Sequence, residues 1–557
     1  MSAVGKKSHK SHGKITQTPA KVTALALEKP VPPAFSGHLA EGLGATIAIN
    51  AAHYDKLPYI SNPFPFSQPC RIGAIARLFG LTPVDPARAR ILEIGCASGG
   101  NIIPLAARYP MASVVGIDIS AVQVEAGCAR IAAQGLDNIK IHCASITDFE
   151  ADAGSFDYII CHGVFSWVPE PVRAAILAKT GQLLSPNGVA DVSYNVLPGW
   201  RMRQALRDAM VLHAGLENDP QNRVTRARWI IKFLKEHTNS TTLWGQVFQR
   251  EADMVGRFAD DYIAHEFLES TNEPMTFTAF AEQAATHGLA YLGDADIAQM
   301  IPENLPVETA ASLREMCGGQ VIAVEQYMDI VTGRTFRQSL LVRQAQARHI
   351  SRLLDPERLA GAHLIANREL KRQQRADGIA LYADPAGRTI STNQGCVAQA
   401  LNMLINKLPA SIQMHEVLQH CANVQEQDFV KGALTKMLQN GLIMLSSEAL
   451  NCVSTVSEAP KASKLNRVDA ERGIQVVNAL HESVHLGLVA QILMPHLDGS
   501  LRFEALVKLV LQAIADGRLS LQRDGVALTE TADLEREAAG HVTATLRDMA
   551  HGGLLVA

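Results

Sequence analysis

The feature that most constrains this chain is the segment Ile91-Leu92-Glu93-Ile94-Gly95-Cys96-Ala97-Ser98-Gly99-Gly100-Asn101. A short apolar run stops at a cluster of small residues, and a helical stretch, NIIPLAARYP, follows. Small residues at a strand-to-helix turn let the backbone approach a ligand closely, and the first N–H groups of the helix are free to bind one. The surrounding pattern extends the same unit. ARILEIG, ASVVGIDIS, IKIHCASI, FDYIICHGVF and GVADVSYN read as five strands. Between them AVQVEAGCARIAAQG, closed by the C-cap signal Gly135, and PVRAAILAKTGQLL read as helices. Strand and helix in alternation predict an α/β chain with a parallel, doubly wound, Rossmann-like sheet.

In such a sheet ligands bind at the carboxyl ends of the strands. Asp118 ends the second strand, at the distance from the glycines where an acidic residue accepts hydrogen bonds from both ribose hydroxyls. A nucleoside-containing cofactor is expected. Gly95-x-Ala97-x-x-Gly100 fits a loose dinucleotide fingerprint, which leaves a nicotinamide oxidoreductase as one reading. The run E-x-G-x-A-x-G-G, however, resembles motif I of class I S-adenosylmethionine methyltransferases, (D/E)xGxGxG. That resemblance implies that Glu93, Gly95, Ala97, Gly99 and Asn101 hold the methionine end and Asp118 the ribose, with Ile119 and Gln123 beside it. Many members carry an acid near the end of the third strand for the adenine. Here Ser145 and Ile146 stand at that place, so a hydroxyl or a backbone group takes the role.

Further segments narrow the match: Tyr54-Asp-x-x-Pro-Tyr59, His162-Gly-Val-Phe-Ser-Trp167-Val-Pro169, Ser193-Tyr194-Asn195-Val-Leu-Pro198-Gly199-Trp200, His265-Glu-Phe-Leu-Glu and His287-Gly-Leu-Ala-Tyr291-Leu. Over about 45–345 the chain resembles bacterial methyltransferases with a methyltransferase regulatory domain, and more weakly over 346–557. The best-known members are protein-lysine methyltransferases acting on an outer-membrane protein. The resemblance implies S-adenosyl-L-methionine as cofactor, a protein substrate, a homodimer and a substrate-facing C-terminal half. Methyl transfer is an in-line displacement that needs alignment and exclusion of water. Tyr194 and Asn195, at the carboxyl end of the fifth strand, are expected to position the nucleophile, with His162 beside the transferred methyl. Trp167 is expected to cover the cofactor, and Tyr54 and Tyr59 to close over it as a lid. A small-molecule N- or O-methyltransferase and a non-catalytic binding protein of the same fold are the alternatives.

The domain plan read from the sequence is a basic tail over 1–40, a methyltransferase domain over 41–215 and a helical regulatory or dimerisation domain over 216–345. A winged-helix-like unit over 346–453, a linker over 454–466 and a helical unit over 467–557 follow, the last with a hairpin about Asp524-Gly525. Fifty-one basic against fifty-five acidic residues and an aromatic share of 5% argue against a nucleic-acid partner. No apolar run reaches the roughly 18 residues of a membrane span. The basic N-terminus has no following signal-peptide stretch, and nine cysteines stand without CxxC pairing, Cys143 and Cys161 in apolar runs. The expectation is a cytoplasmic protein with reduced thiols. His481-Glu482-Ser483-Val484-His485 matches the helical zinc signature HExxH, yet an ordinary amphipathic helix fits as well, and no metal is expected. Arg334, Arg337, Arg343 and Arg348 read as the solvated face of a helix.

Overall fold

The computed structural model describes Asp55 and residues 60–215, 217, 219–269, 271–373, 378–523, 526–527 and 530–557. The basic tail and both lid tyrosines, Tyr54 and Tyr59, lie outside the described residues. The five expected strands form: β1 (Arg90–Ile94), β2 (Ser113–Asp118), β3 (Ile139–Cys143), β4 (Phe156–Cys161) and β5 (Leu184–Asn195). They pair in parallel in the order β3-β2-β1-β4-β5. Helix α1 (Pro69–Leu78) precedes the sheet, and α2 (Ile102–Arg108), α3 (Ala121–Gln134) and α4 (Glu170–Leu183) connect the strands. Ser120 caps α3 by accepting from the Gln123 amide, and Gly135 ends it in the left-handed conformation that glycine adopts without a Cβ penalty.

The expected helical domain over 216–345 needs correcting. Helices α5 (Trp200–Ala214), α6 (Pro220–His237), α7 (Leu243–Val255) and α8 (Asp260–Phe267) share a core of their own around Leu206, Val224, Phe248 and Ile263. The chain then returns through α9 (Phe277–Thr286) to the central sheet. Strands β6 (Leu289–Asp294) and β7 (Phe336–Arg343) complete it in the order β3-β2-β1-β4-β5-β7-β6, with β7 antiparallel to both neighbours. The helices over 200–267 are therefore an insertion between β5 and β6.

The arginines expected on one helix face belong instead to this sheet edge. Arg337 and Arg343 lie in β7, Arg334 precedes it, and Arg348 lies in a 3-10 turn. Arg337 is fully buried and donates to both Asp329 carboxylate oxygens at 2.8 and 2.9 Å and to Glu325 at 2.9 Å. Its guanidinium also stacks over the Phe277 ring at 3.9 Å. Three carboxylates, with Asp294 at 3.7 Å, hold one buried cation.

Residues 346–453 form two small antiparallel sheets and helices Gly395–Lys407, Met414–Leu418 and Val424–Gln439. The 454–466 linker is shorter than expected, because Lys461–Ala462 pairs with Leu555–Val556 and a helix starts at Lys464. The expected hairpin is present as Gln522–Arg523 against Val526–Ala527; its turn residues are outside the described residues. HExxH is not helical here. His481 is in a left-handed turn with φ of 62°, and Ser483–Val484 is a strand, so the spacing that would set two histidines on one helix face is lost. Among the described residues no cluster of potential metal ligands occurs and no helix is long and apolar enough to cross a membrane. All nine cysteines are free; Cys161 is buried, but Cys143 is exposed, against expectation.

Candidate active site

The carboxyl ends of the parallel strands open into a cavity of about 520 Å³. Sheet order distributes its wall. Over β1, β2 and β3 lie Glu93, Gly95, Ala97, Asn101, Asp118, Ile119, Gln123, Ser145 and Ile146. Over β4 and β5 lie His162, Trp167 and Asn195. Eleven of the fourteen residues expected to hold the cofactor line this one cavity. Gly99 does not, and serves the turn instead: its φ is 76°, and a Cβ there would lie 2.7 Å from Ile103.

The glycine loop is fixed by its neighbours rather than by its own chain. Asp118 accepts from the Ala97 amide at 2.8 Å and from the Ser120 amide at 2.9 Å, which ties the loop to the end of β2. Burial raises the Asp118 carboxyl above its usual range, while these amides oppose the shift. Each oxygen keeps lone-pair capacity for a ribose hydroxyl. Ser61 accepts from the Gly100 amide at 2.7 Å, and no Cβ fits at Gly100 because the Ser61 carbonyl would stand 2.0 Å away. Residues 61–64, in a proline-rich stretch ahead of α1, thus cross the loop, and Ser61, Asn62 and Phe64 join the cavity wall.

Glu93 is the buried acid of the site. Asn101 donates to its Oε1 at 2.7 Å, whereas Oε2 is buried without a hydrogen-bond partner. Burial pushes the carboxyl up to about 8. An orphaned carboxylate oxygen at a glycine loop fits a cationic amino group, which the methionine end of S-adenosylmethionine carries. With Asp118 placed for a ribose, the residues present fit that cofactor.

Asn101 also joins Glu93 to a segment far away in the chain. Its Oδ1 accepts from the Phe64 amide at 2.9 Å and from the Ser67 hydroxyl at 3.3 Å. An amide can only donate, so Oδ1 faces it and His481, 2.8 Å away through Nε2, is also a donor. His481 is the first histidine of the HExxH match. It is buried, burial and Arg108 hold it down to about 3, and it is neutral. The segment around it is anchored by Gln68 to the Leu480 carbonyl at 3.0 Å and by Arg108 to the Ala479 carbonyl at 3.1 Å.

The far end of the cavity belongs to the insertion and to β7. Trp200, Arg203, Tyr262, His265, Glu266 and Phe336 line it. Trp167 meets Trp200 edge to face at 6.3 Å. Asn195, at the end of β5, is buried there and contacts Asn272 at 3.3 Å. His162 stacks on Phe64 at 3.8 Å and meets Gln338 at 3.1 Å; burial lowers it to about 4, so it stays neutral. Tyr194 is a correction. Its ring stacks on Phe280 at 4.1 Å within the apolar core, and its hydroxyl meets Ser339 at 3.1 Å. It does not line the cavity. Sequence reasoning missed Phe64, Arg203, Tyr262, Glu266, Phe336 and His481 as site residues. HEFLE, which holds Glu266, HExxH, which holds His481, and Pro63-Phe64-Pro65-Phe66, whose aromatics read as a packed loop or lid, marked three of them.

Comparison with known proteins agrees with this geometry. Three family models match: "Methyltransferase domain" over 91–188, "Predicted methyltransferase regulatory domain" over 259–343 and "PKMT, C-terminal winged helix domain" over 458–554. The winged helix therefore falls in the segment read from sequence as a helical unit. The regulatory-domain match includes β6 and β7 of the central sheet. The chain is 37% identical over 236 residues to an uncharacterised protein of Rickettsia prowazekii, RP028, covering 42% of this chain and 94% of that one. It is 29% identical over 522 residues to another, RP789, covering 90% of this chain and 93% of that one. The structure of PKMT2 from Rickettsia typhi in complex with AdoHcy superposes with a TM-score of 0.80 at 27% identity, covering 90% of this chain and all of that one. The chain belongs to the S-adenosylmethionine-dependent methyltransferases that carry a methyltransferase regulatory domain and a PKMT-type C-terminal winged helix.

Proposed function

We propose that this methyltransferase acts on lysine side chains of a protein. The observation that carries the reading is the wall beyond the cofactor residues. There Trp167, Trp200, Tyr262 and Phe336 share the cavity wall with Glu266. Aromatic walls with a carboxylate among them suit a long aliphatic side chain that ends in a cation. The winged-helix match and the likeness to PKMT2 support the same class of acceptor. S-adenosylmethionine supplies a methyl group on a sulfonium sulfur, which is displaced in line by a nucleophile with a free lone pair. Glu93 and Asp118 hold the two ends of that cofactor, Asn195 borders the path of the acceptor, and Phe64 with the aromatic wall keeps water out.

The protein fits a cytoplasmic enzyme that meets an outer-membrane or surface protein before export, and it fits a homodimer. His213 of α5 stacks on Trp229 of α6, and Phe233 and His237 continue the ladder along α6, with ring spacings of 4.9, 5.3 and 4.3 Å. Trp229, Phe233, Leu243 and Trp244 are exposed. Exposed apolar surface of this kind supports association with a second copy.

The test is incubation with methyl-labelled S-adenosylmethionine and an extract of the source cells, followed by separation of proteins from small molecules. Base-stable label recovered as methyl-lysine in a protein band supports the reading. Label confined to small molecules makes the enzyme a metabolite methyltransferase and the C-terminal half architecture.

A further inference from the structure

A lysine amine is protonated at neutral pH and has no lone pair to attack with. The site must therefore take up a proton as well as align the acceptor. Among the titratable residues of the cavity wall, Glu93 and Asp118 belong to the cofactor end, and His162 is buried neutral among aromatic rings. His265 accompanies Glu269 at 3.3 Å, and Arg203 faces Glu251 at 3.5 Å. Glu266 is the remaining carboxylate of the wall, on α8, beside the aromatic residues that the insertion contributes.

Resting on the lysine reading, we infer that Glu266 binds the acceptor ammonium and takes its proton before methyl transfer. The proton passes from the ammonium nitrogen to a Glu266 carboxylate oxygen, which frees the lone pair. That lone pair forms the nitrogen–carbon bond as the carbon–sulfur bond breaks, and the bonding pair stays on sulfur. The product is a protonated methylamine, and the proton on Glu266 leaves to solvent as the product departs.

The surroundings of Glu266 tune it for this task. Burial pushes its carboxyl up to about 7, and Arg203 and Arg207 on α5 oppose the shift. A base with such a value is present in both forms near neutrality, so it can take up a proton from the ammonium and return it to solvent in each cycle. Arg207 is engaged with the Glu269 carbonyl and Arg203 with Glu251 and the Trp200 ring, so neither neutralises Glu266 by direct pairing. Glu266 itself is part of the cavity wall.

Glu266→Gln and Glu266→Asp test the inference in the full-length enzyme, with methyl-labelled S-adenosylmethionine and cell-extract protein, read as methyl-lysine from pH 6 to 9. The wild-type rate is expected to rise with pH and level off above about 7. Glu266→Gln is expected to lose about 100-fold in rate, the lower end of general-base contributions. Its residual rate climbs across the whole range without a plateau. Glu266→Asp is expected to recover part of the rate and keep the plateau. Thermal protection by S-adenosylhomocysteine and the melting temperature of the free protein are expected to be unchanged in both. A Glu266→Gln enzyme with the wild-type rate and profile overturns the inference while leaving lysine methylation standing. A rate loss matched by lost cofactor protection assigns Glu266 to architecture and also overturns it. Absence of methyl-lysine with the wild-type enzyme overturns the lysine reading and this inference together.

Discussion

Replacing His481 tests whether the C-terminal part of the chain helps to hold the cofactor site. His481 lies 380 residues after Asn101 and donates to it at 2.8 Å; Asn101 in turn donates to Glu93 at 2.7 Å. In His481→Ala, Asn101 Oδ1 keeps the Phe64 amide and the Ser67 hydroxyl, so it is not orphaned. The loss is then one neutral hydrogen bond, about 0.5–1.5 kcal/mol. If the bond orients Asn101 and through it Glu93, that energy is the ceiling on the cofactor effect. It corresponds to S-adenosylhomocysteine binding about 2- to 13-fold more weakly by titration calorimetry. His481→Gln places an amide donor at similar reach and should bind nearly as the wild type does. Both replacements have a Cβ at a φ of 62°, so backbone strain is common to the two and cancels in the comparison.

The histidine also leaves a signature in acid. Its folded value of about 3 lies below the unfolded value of about 6.5. Between those limits the unfolded chain binds the extra proton, so stability falls as pH falls. The contribution is complete above about 6.5 and declines below it by up to about 1.4 kcal/mol per unit. Wild type should lose about 2 kcal/mol more than His481→Gln between pH 6.5 and 5 in urea unfolding. Taking the difference between the two proteins removes the opposing contribution of Glu93 and that of His162. Parallel stability curves, or equal cofactor affinity in wild type and His481→Ala, would refute the proposed connection.

Three other substitutions probe the same reading. Asp118→Ala removes charge-assisted bonds to a ribose and the anchor of the Ala97 amide, so cofactor affinity should fall by about 1–3 kcal/mol; unchanged affinity would remove the ribose role. Arg337→Met leaves Glu325 and Asp329 buried without their cation, while Asp294 keeps Arg334, and should cost about 3–5 kcal/mol of stability, a loss that an unshifted melting temperature would contradict. Tyr194→Phe loses only the contact with Ser339, so turnover should hold while stability falls by about 1 kcal/mol; a large drop in kcat would return the residue to the site.

The five parallel strands were legible because each is a short apolar run set off by turn or helix signals, and Glu93, the glycines and Asp118 lie at the ends of the first two. Tyr194 illustrates a rule left unused. Successive residues of a strand point to opposite faces, so Tyr194 and Asn195 do not both face one crevice. The two last strands escaped for another reason. Leu289–Asp294 and Phe336–Arg343 stand among helices and enclose polar residues whose burial only tertiary structure explains. Arg337 reads as solvated unless Glu325 and Asp329 are known to face it. His481 was visible as part of a motif, but that motif presupposes a helix, and the chain makes a left-handed turn there. Nothing local announces a hydrogen bond across 380 residues.

The position of the insertion explains how cofactor and acceptor ends stay in register. It leaves the sheet after β5 and re-enters at β6, so its two roots are strands of the sheet that also carries Glu93 and Asp118. Backbone bonds fix those roots: the Met275 amide donates to the Asn195 carbonyl at 3.1 Å, and the Val196 amide to the Thr335 carbonyl at 3.0 Å. Arg173 on α4 pairs with Glu273 on the return path. The aromatic and acidic wall of the acceptor pocket is thereby indexed to the cofactor loop through rigid strands, as in-line transfer demands. The helices beyond those roots have a separate core, so their side chains can vary without moving the glycine loop. One sheet thus carries Glu93 and Asp118, while the insertion brings Glu266, Trp200 and Tyr262 to the wall of the same cavity.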